Sequence, residues 1–284
     1  MPEPLCLISV HAHPDDEASK GAGTVHRYHE DGVRTVLVCC TGGEAGDILN
    51  PAMDTPEVRE NLAQVRRDEL ERSAAIIGFD EVVMLGYKDS GMPDTPENAD
   101  PDCFARAPLD EAVGRLVAII RRTRPQVMLT YGDDQEGYPH PDHLRVYEVS
   151  MVAVDAAADK TQYPEAGEPW QIQKVYWSAW SRARIDAMHE AFLAHGIESP
   201  FDERWRSRPS QDHRLTTHID VAGRYHVRAG ALKAHATQID PTSVFWFGLP
   251  DDVLESVYPQ EDWILGRSEI PVDLPEDDLF TGLY

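Results

Sequence analysis

The chain is short of several features that mark broad protein classes. Only five of its 26 basic residues are lysines (Lys20, Lys88, Lys160, Lys174 and Lys233), and 50 acidic residues leave a formal net charge of -24. That excess of negative charge argues against a nucleic-acid partner and against docking on an anionic membrane. The four cysteines show no CxxC spacing; Cys6 and the adjacent Cys39 and Cys40 sit within apolar strand patterns, where a free thiol acts as a small hydrophobe. Disulfides and a cysteine metal site are therefore not expected. No charged-then-apolar leader opens the sequence and no apolar run approaches about 18 residues, so the expectation is a soluble, cytoplasmic protein. No GxGxxG follows the first apolar run, no Lys-Ser/Thr follows the glycine-rich Thr41–Gly46, and no serine-centred elbow occurs. These absences count against a dinucleotide fold of the usual kind, a P-loop and a serine hydrolase.

What is present is an alternation of strands and helices. Leu5–Val10 is a continuous apolar run, as expected of a strand covered on both faces. A helix is predicted over about 17–30, a second strand over 35–40, and a long helix from Pro56 to about Ile77, with Gly78 as its stop. Strands at 81–85, 127–131 and 175–180 alternate with helices at 109–122 and about 141–158. This order predicts an α/β, Rossmann-like, mostly parallel sheet with helices on both faces. After about Arg182 the pattern changes, with helices near 184–195 and about 221–238. The expected organisation is a catalytic core over 1–181 and a C-terminal cap subdomain over 182–284 that completes the substrate pocket, part of it packing back on the core.

In such sheets ligands bind beyond the carboxyl ends of the strands. His13-Pro14-Asp15-Asp16 follows the first strand and His140-Pro141-Asp142-His143 the fourth. Two histidines and a carboxylate suit zinc with a position left for water, so His13, Asp16 and His143 are the expected ligands. Asp15 is left as general base beside a metal-activated water. His140 is placed to donate to a developing oxyanion or to protonate a leaving amine, and Tyr138 to polarise the scissile carbonyl. Asp142 is expected to orient an imidazole, with His140 favoured as its partner. His11 reads as a core histidine, His26 and His29 as helix surface, and His235 is left open.

These residues resemble the N-acetylglucosaminyl-phosphatidylinositol de-N-acetylase (PIG-L/LmbE-like) superfamily of zinc-dependent amide hydrolases. Ala12-His13-Pro14-Asp15-Asp16-Glu17 looks like its first motif and His140-Pro141-Asp142-His143 like its second. The resemblance runs from Val10 to about Phe280 and is nearer to the mycothiol branch, which holds both S-conjugate amidases and a biosynthetic deacetylase. It implies one Zn2+ per subunit, with Fe2+ or another divalent ion as an alternative. It also implies the roles given above for His13, Asp15, Asp16, Tyr138, His140 and His143, and a small-molecule substrate. Stretches including Ser19-Lys20-Gly21-Ala22 and Thr41-Gly42-Gly43-Glu44 point toward cleavage of the amide in mycothiol S-conjugates. Deacetylation of N-acetylglucosaminyl-inositol and a biosynthetic thiol-conjugate amidase are the alternatives. Lys20, Glu44, Arg66 and Asp89 are the implied substrate-binding residues; a guanidinium fork such as that of Arg66 suits polyol oxygens. Gly132-Asp133-Asp134-Gln135-Glu136 departs from the family pattern and makes the lip of the site acidic.

Overall fold

In the computed structural model, which describes residues 4–284, seven strands form one sheet: β1 (Cys6–His11), β2 (Arg34–Thr41), β3 (Glu81–Tyr87), β4 (Val127–Thr130), β5 (Lys174–Ala179), β6 (Thr217–Asp220) and β7 (Gln260–Ser268). Their order is β3-β2-β1-β4-β5-β7-β6. The first five are mutually parallel, as the alternation of elements predicts, while β7 runs antiparallel to both β5 and β6.

The apolar run of β1 is buried along its whole length because helices cover both faces. Ile8 and Val10 enter one apolar cluster with Leu116, Val117 and Val146, and Leu7 enters the opposite cluster with Val25, Tyr28 and Leu232. This is the period-two alternation of a strand resolved into two layers. Strand order reverses at β1, whose successor β2 lies on one side and β4 on the other. A crevice opens at such a switch point, beyond the carboxyl ends of β1 and β4.

Several boundaries differ from the sequence expectation. The first helix is two, Asp16–Ser19 and Ala22–Glu30, separated at Gly21 with φ 103°. A Cβ there would lie 2.8 Å from the Trp263 ring, so the turn requires glycine. The Pro56–Ile77 segment is likewise broken at Asn61, and the late helix is shorter, Tyr225–Ala234. From the segment after residue 181, β6 and β7 extend the sheet. Its helices enclose an apolar cluster of their own, with Ile185, Phe192, Phe201, Leu249 and Leu254. All four cysteines are free and buried. Among the described residues, no helix is long and apolar enough to cross a membrane.

Candidate metal centre and substrate cleft

The turn after β1 carries His13, Pro14, Asp15 and Asp16 out of the sheet, and the helix Pro141–Ala158, entered after β4, carries Asp142 and His143 in its first turn. The two clusters meet at the switch point. Asp16 Oδ2 lies 3.4 Å from His13 Nδ1 and 3.5 Å from His143 Nε2. Ligand atoms of these three buried residues lie within 4.8 Å of one another, a group that could hold a metal ion.

Asp142 corrects one expectation. Its carboxylate faces His13, not His140: Oδ2 is 3.1 Å from His13 Nε2, while His140 Nδ1 receives only the Asp142 backbone N–H, at 3.2 Å. A carboxylate can only accept, so Nε2 of His13 carries a proton toward Asp142, and Nδ1, beside Asp16, is the nitrogen that would ligate a metal once its own proton is displaced. Asp142 is fully buried and is held in turn by Ser90, whose N–H donates at 2.9 Å and whose hydroxyl donates to the other oxygen.

The charge of the site suits a cation. Burial works to lower the His13 pKa, but hydrogen bonds to Asp142, Asp16 and Asp89 override it and hold the imidazole well above its ordinary value. Burial drops His143 to about 4, which leaves it neutral and able to ligate. Three carboxylates around one imidazole, beside a second neutral one, fit a divalent ion; two nitrogens and one oxygen suit zinc or another borderline metal. A second group, His13, Asp89 and His140, also has its ligand atoms within 4.8 Å, but it would draw on the His13 nitrogen that Asp142 already engages.

Asp15 is half-buried and lines the cleft. Its backbone adopts φ 110°, a left-handed value that a non-glycine residue holds only at a cost. Three contacts keep it there. Glu17 accepts its N–H at 2.9 Å, Arg66 donates to its Oδ2 at 3.1 Å, and Arg66 also donates to Pro14 O at 2.7 Å. Burial raises the Asp15 pKa and Arg66 opposes the rise. His140 is buried, and burial together with the His13 charge lowers its pKa, so it is neutral near pH 7. Its Nδ1 accepts the Asp142 N–H, so its proton sits on Nε2, available as a donor. Tyr138 is 56% exposed, its ring 5.3 Å from that of His143.

The four residues expected to bind substrate are distributed unevenly. Lys20 lines the cleft, with its ammonium 2.5 Å from Asp16 Oδ1. Asp89 Oδ1 lies 3.6 Å from His13 Nε2, and Glu44 accepts the Asp89 N–H at 3.2 Å while its other oxygen is buried without a partner. Arg66 is 2% exposed, and its fork is spent on Asp15, Pro14 O and Gly43 O. A Cβ on Gly43 would fall 2.4 Å from that guanidinium, so glycine is what lets the loop after β2 close on it. Arg66 therefore faces Asp15 in the protein interior, not open helix surface.

Sequence reasoning passed over Glu17, Ser73, Ser90 and Tyr131. Glu17 Oε1 accepts from Ser73 Oγ and from His235 Nε2, both at 2.5 Å, which gives His235 a buried position directly beneath the Asp15 turn. The Tyr131 ring stacks on His143 at 4.4 Å. Glu17 closes the first motif but was given no role there; nothing local marks the other three. His11 is a core histidine, its Nε2 2.8 Å from Ser9 Oγ, and His26 is anchored on Ile77 O at 2.9 Å instead of being free surface.

Beside the metal-ligand cluster lies a cleft of about 500 Å³, lined by Asp15, Lys20, Tyr138 and His143. One wall is aromatic, formed by the mutually packed rings of Trp180, Trp205, Phe245 and Trp246. Asp134, Gln135 and Glu136 form part of the lip.

Residues 8–154 match the GlcNAc-PI de-N-acetylase family. Over its whole length the chain is 44% identical to a mycothiol S-conjugate amidase of Streptomyces coelicolor, covering 99% of that protein. It is 40% identical to a 1D-myo-inositol 2-acetamido-2-deoxy-alpha-D-glucopyranoside deacetylase of Geodermatophilus obscurus, over 98% of this chain and 97% of that one. Among solved structures, the N,N'-diacetylchitobiose deacetylase of Pyrococcus horikoshii shares the fold with a TM-score of 0.62 at 17% identity, over 91% of this chain and 82% of that one.

Proposed function

The chain belongs to the GlcNAc-PI de-N-acetylase family and is a hydrolase of C–N bonds other than peptide bonds; from that premise we propose that it cleaves the amide of mycothiol S-conjugates. Water adds across the bond joining the cysteinyl acyl group to glucosamine. The products are an N-acetylcysteine S-conjugate and glucosaminyl-inositol, and the role is detoxification of electrophiles captured on the thiol. The acidic composition supports a small-molecule substrate, and the activity is assigned to the cytoplasm.

The observation that carries the amidase reading is the size and lining of the cleft. An acetyl group needs little room, whereas about 500 Å³ closed by Trp180, Trp205, Phe245 and Trp246 suits a bulky, often apolar S-substituent. The segment 182–284 supplies most of this wall, which is why we assign it to completing the substrate pocket.

His13, Asp16 and His143 would hold one zinc, or another divalent ion such as Fe2+, which when bound supplies Lewis-acid polarisation and eases the deprotonation of water. Asp15 takes the proton of the attacking water. Its pKa is lifted by burial and restrained by Arg66, which gives its carboxylate a raised basicity. His140 offers its Nε2–H to the carbonyl oxygen as negative charge develops there, and the Tyr138 hydroxyl assists. Asp15 returns the proton it took from water to the leaving amine. Asp142 fixes the His13 tautomer, and Glu17 and Arg66 hold the Asp15 turn. Lys20, Glu44 and Asp89 are assigned to polar groups of the substrate, Glu44 through its unpartnered oxygen.

The deciding experiment compares kcat/KM on a mycothiol S-conjugate and on N-acetylglucosaminyl-inositol. A higher value for the conjugate is expected. A higher value for the acetylated sugar would replace this reading with the deacetylase.

A further inference from the structure

A second, smaller cavity of about 60 Å³ lies across the aromatic wall, with Trp180, Ile185, Phe245 and Trp246 lining both it and the cleft. Its polar lining is unusual. Arg184 reaches it from the helix Arg182–Ala194, and Arg228 and Tyr225 reach it from the helix Tyr225–Ala234. Tyr225 and Arg228 are three residues apart and share one helix face. The Arg184 guanidinium lies 4.7 Å over the Trp180 ring and that of Arg228 5.4 Å over the Trp246 ring. Those contacts satisfy no N–H. Nε and Nη2 of Arg228 and the Tyr225 hydroxyl are shut off from solvent with no hydrogen-bond partner.

The nearby acids and the third arginine are engaged elsewhere. Glu261 accepts the N–H groups of Gly23 at 3.3 Å and Thr24 at 2.9 Å, capping the helix Ala22–Glu30. Glu255 accepts the Gly223 N–H, and Arg224 pairs with Glu30 at 2.9 Å. Among the described residues, neither Arg184 nor Arg228 has an ion pair. Burial, and then the like charge of Arg184, lowers Arg228 to about 9, and burial lowers Arg184 as well. Glu261, and for Arg184 also Asp262, oppose these shifts from nearby, but no carboxylate of the described residues is bonded to either guanidinium. Two guanidiniums brought together out of water with no bonded partner are a poor structural device, because a buried charge is tolerated when it is paired and hydrogen-bonded.

We infer that this cavity is a binding site for one small oxyanion, a phosphate, a sulfate or a carboxylate group, held between Arg184 and Arg228 and receiving a hydrogen bond from the Tyr225 hydroxyl. The volume admits only a few water-sized groups, which suits an anion of that size and excludes a nucleotide. A planar fork such as that of Arg228 presents two N–H groups to two oxygens of such an ion. An occupant would tie the two helices together behind Trp180 and Trp246, and so brace the wall of the cleft.

The test is unfolding and calorimetry of the metal-loaded full chain in sodium sulfate, phosphate or acetate, against chloride at matched ionic strength. Wild type is expected to show a saturable rise in Tm, and half-saturation should move up about tenfold or more in Arg228→Met and in Arg184→Met. In chloride alone Arg228→Met should unfold no lower than wild type, since it removes an unpaired buried charge. Tyr225→Phe, a milder change that keeps the ring, should weaken the response several-fold and serves if the arginine variants fail to fold. The order of response to sulfate, phosphate and acetate identifies the class of ion. A saturable response that persists at wild-type strength in all three variants, or no saturable response in wild type, overturns the site. The readout is unfolding, not turnover, so it is independent of the substrate assignment.

Discussion

Asp142 Oδ2 stands 3.1 Å from His13 Nε2, so the aspartate of the second motif orients the first histidine of the other. Removing that acceptor leaves the His13 tautomer free to change. Asp142→Asn, whose amide can donate to Nε2, should weaken metal binding about 10- to 100-fold with the fold intact. Titration of the apo-protein with zinc, with circular dichroism as control, checks this; unchanged affinity would dismiss the orienting role.

His143→Ala and Asp16→Ala each take one donor from the three-residue group. Both are expected to lose stoichiometric metal and to retain less than about 1% of activity. Metal analysis of the dialysed proteins reads this directly, and either variant keeping one ion per chain and full rate would remove that residue from the ligand set.

Asp15 joins catalysis to strain. Asp15→Asn should lower kcat by about 10²- to 10⁴-fold while metal is retained. Asp15→Gly should be equally inactive, yet more stable than Asp15→Asn by roughly 1 kcal/mol, because glycine accepts φ 110° without penalty. Urea denaturation of the pair decides; a glycine variant less stable than the asparagine one would show that the turn is not strained.

His235 and Glu17 form a fully buried pair at 2.5 Å. Burial opposes the His235 charge, but Glu17 overrides it and raises the pKa above 6.5. Burial likewise opposes the charge on Glu17, whose pKa His235 nonetheless lowers below 4.5. A raised histidine stabilises fully below its unfolded value and ceases to do so as pH climbs through the folded one; the lowered glutamate stabilises above its unfolded value and ceases to as pH falls through the folded one. The stability lost in His235→Gln should thus be largest between about 4.5 and 6.5, on the order of 3 kcal/mol, and shrink at higher pH. Denaturation of both proteins from pH 5 to 9 tests it, and a difference that grew with pH would contradict the sign.

Trp205 belongs to the aromatic wall, where its ring packs on Trp180, Phe201 and Phe245. Trp205→Ala should raise KM for a conjugate with an aromatic S-substituent by about 5- to 20-fold, the scale of losing one aromatic contact. KM for N-acetylglucosaminyl-inositol should barely move. Equal effects on both substrates would mean that the wall does not meet the S-substituent.

Much of this was legible in the sequence. The buried parallel strands declare themselves as continuous apolar runs, and His13, Asp15, Asp16 and His143 lie in two short motifs at strand ends, where a doubly wound sheet places its ligands. These are local signals, set by period and by position after a strand.

Pairing across the fold is not local. Which imidazole Asp142 would orient, that Arg66 would turn inward onto Asp15, and that His235 would lie under Glu17 were decided when distant segments packed. The two ends of the His235–Glu17 contact are 218 residues apart, and no spacing rule reaches that far. The antiparallel β7 and β6, the aromatic wall, and the two arginines behind it share this origin. Chain chemistry therefore determined the two motifs and the strands that end in them. Tertiary packing decided their partners, because hydrogen-bond geometry and desolvation exist only once both sides of a contact are in place.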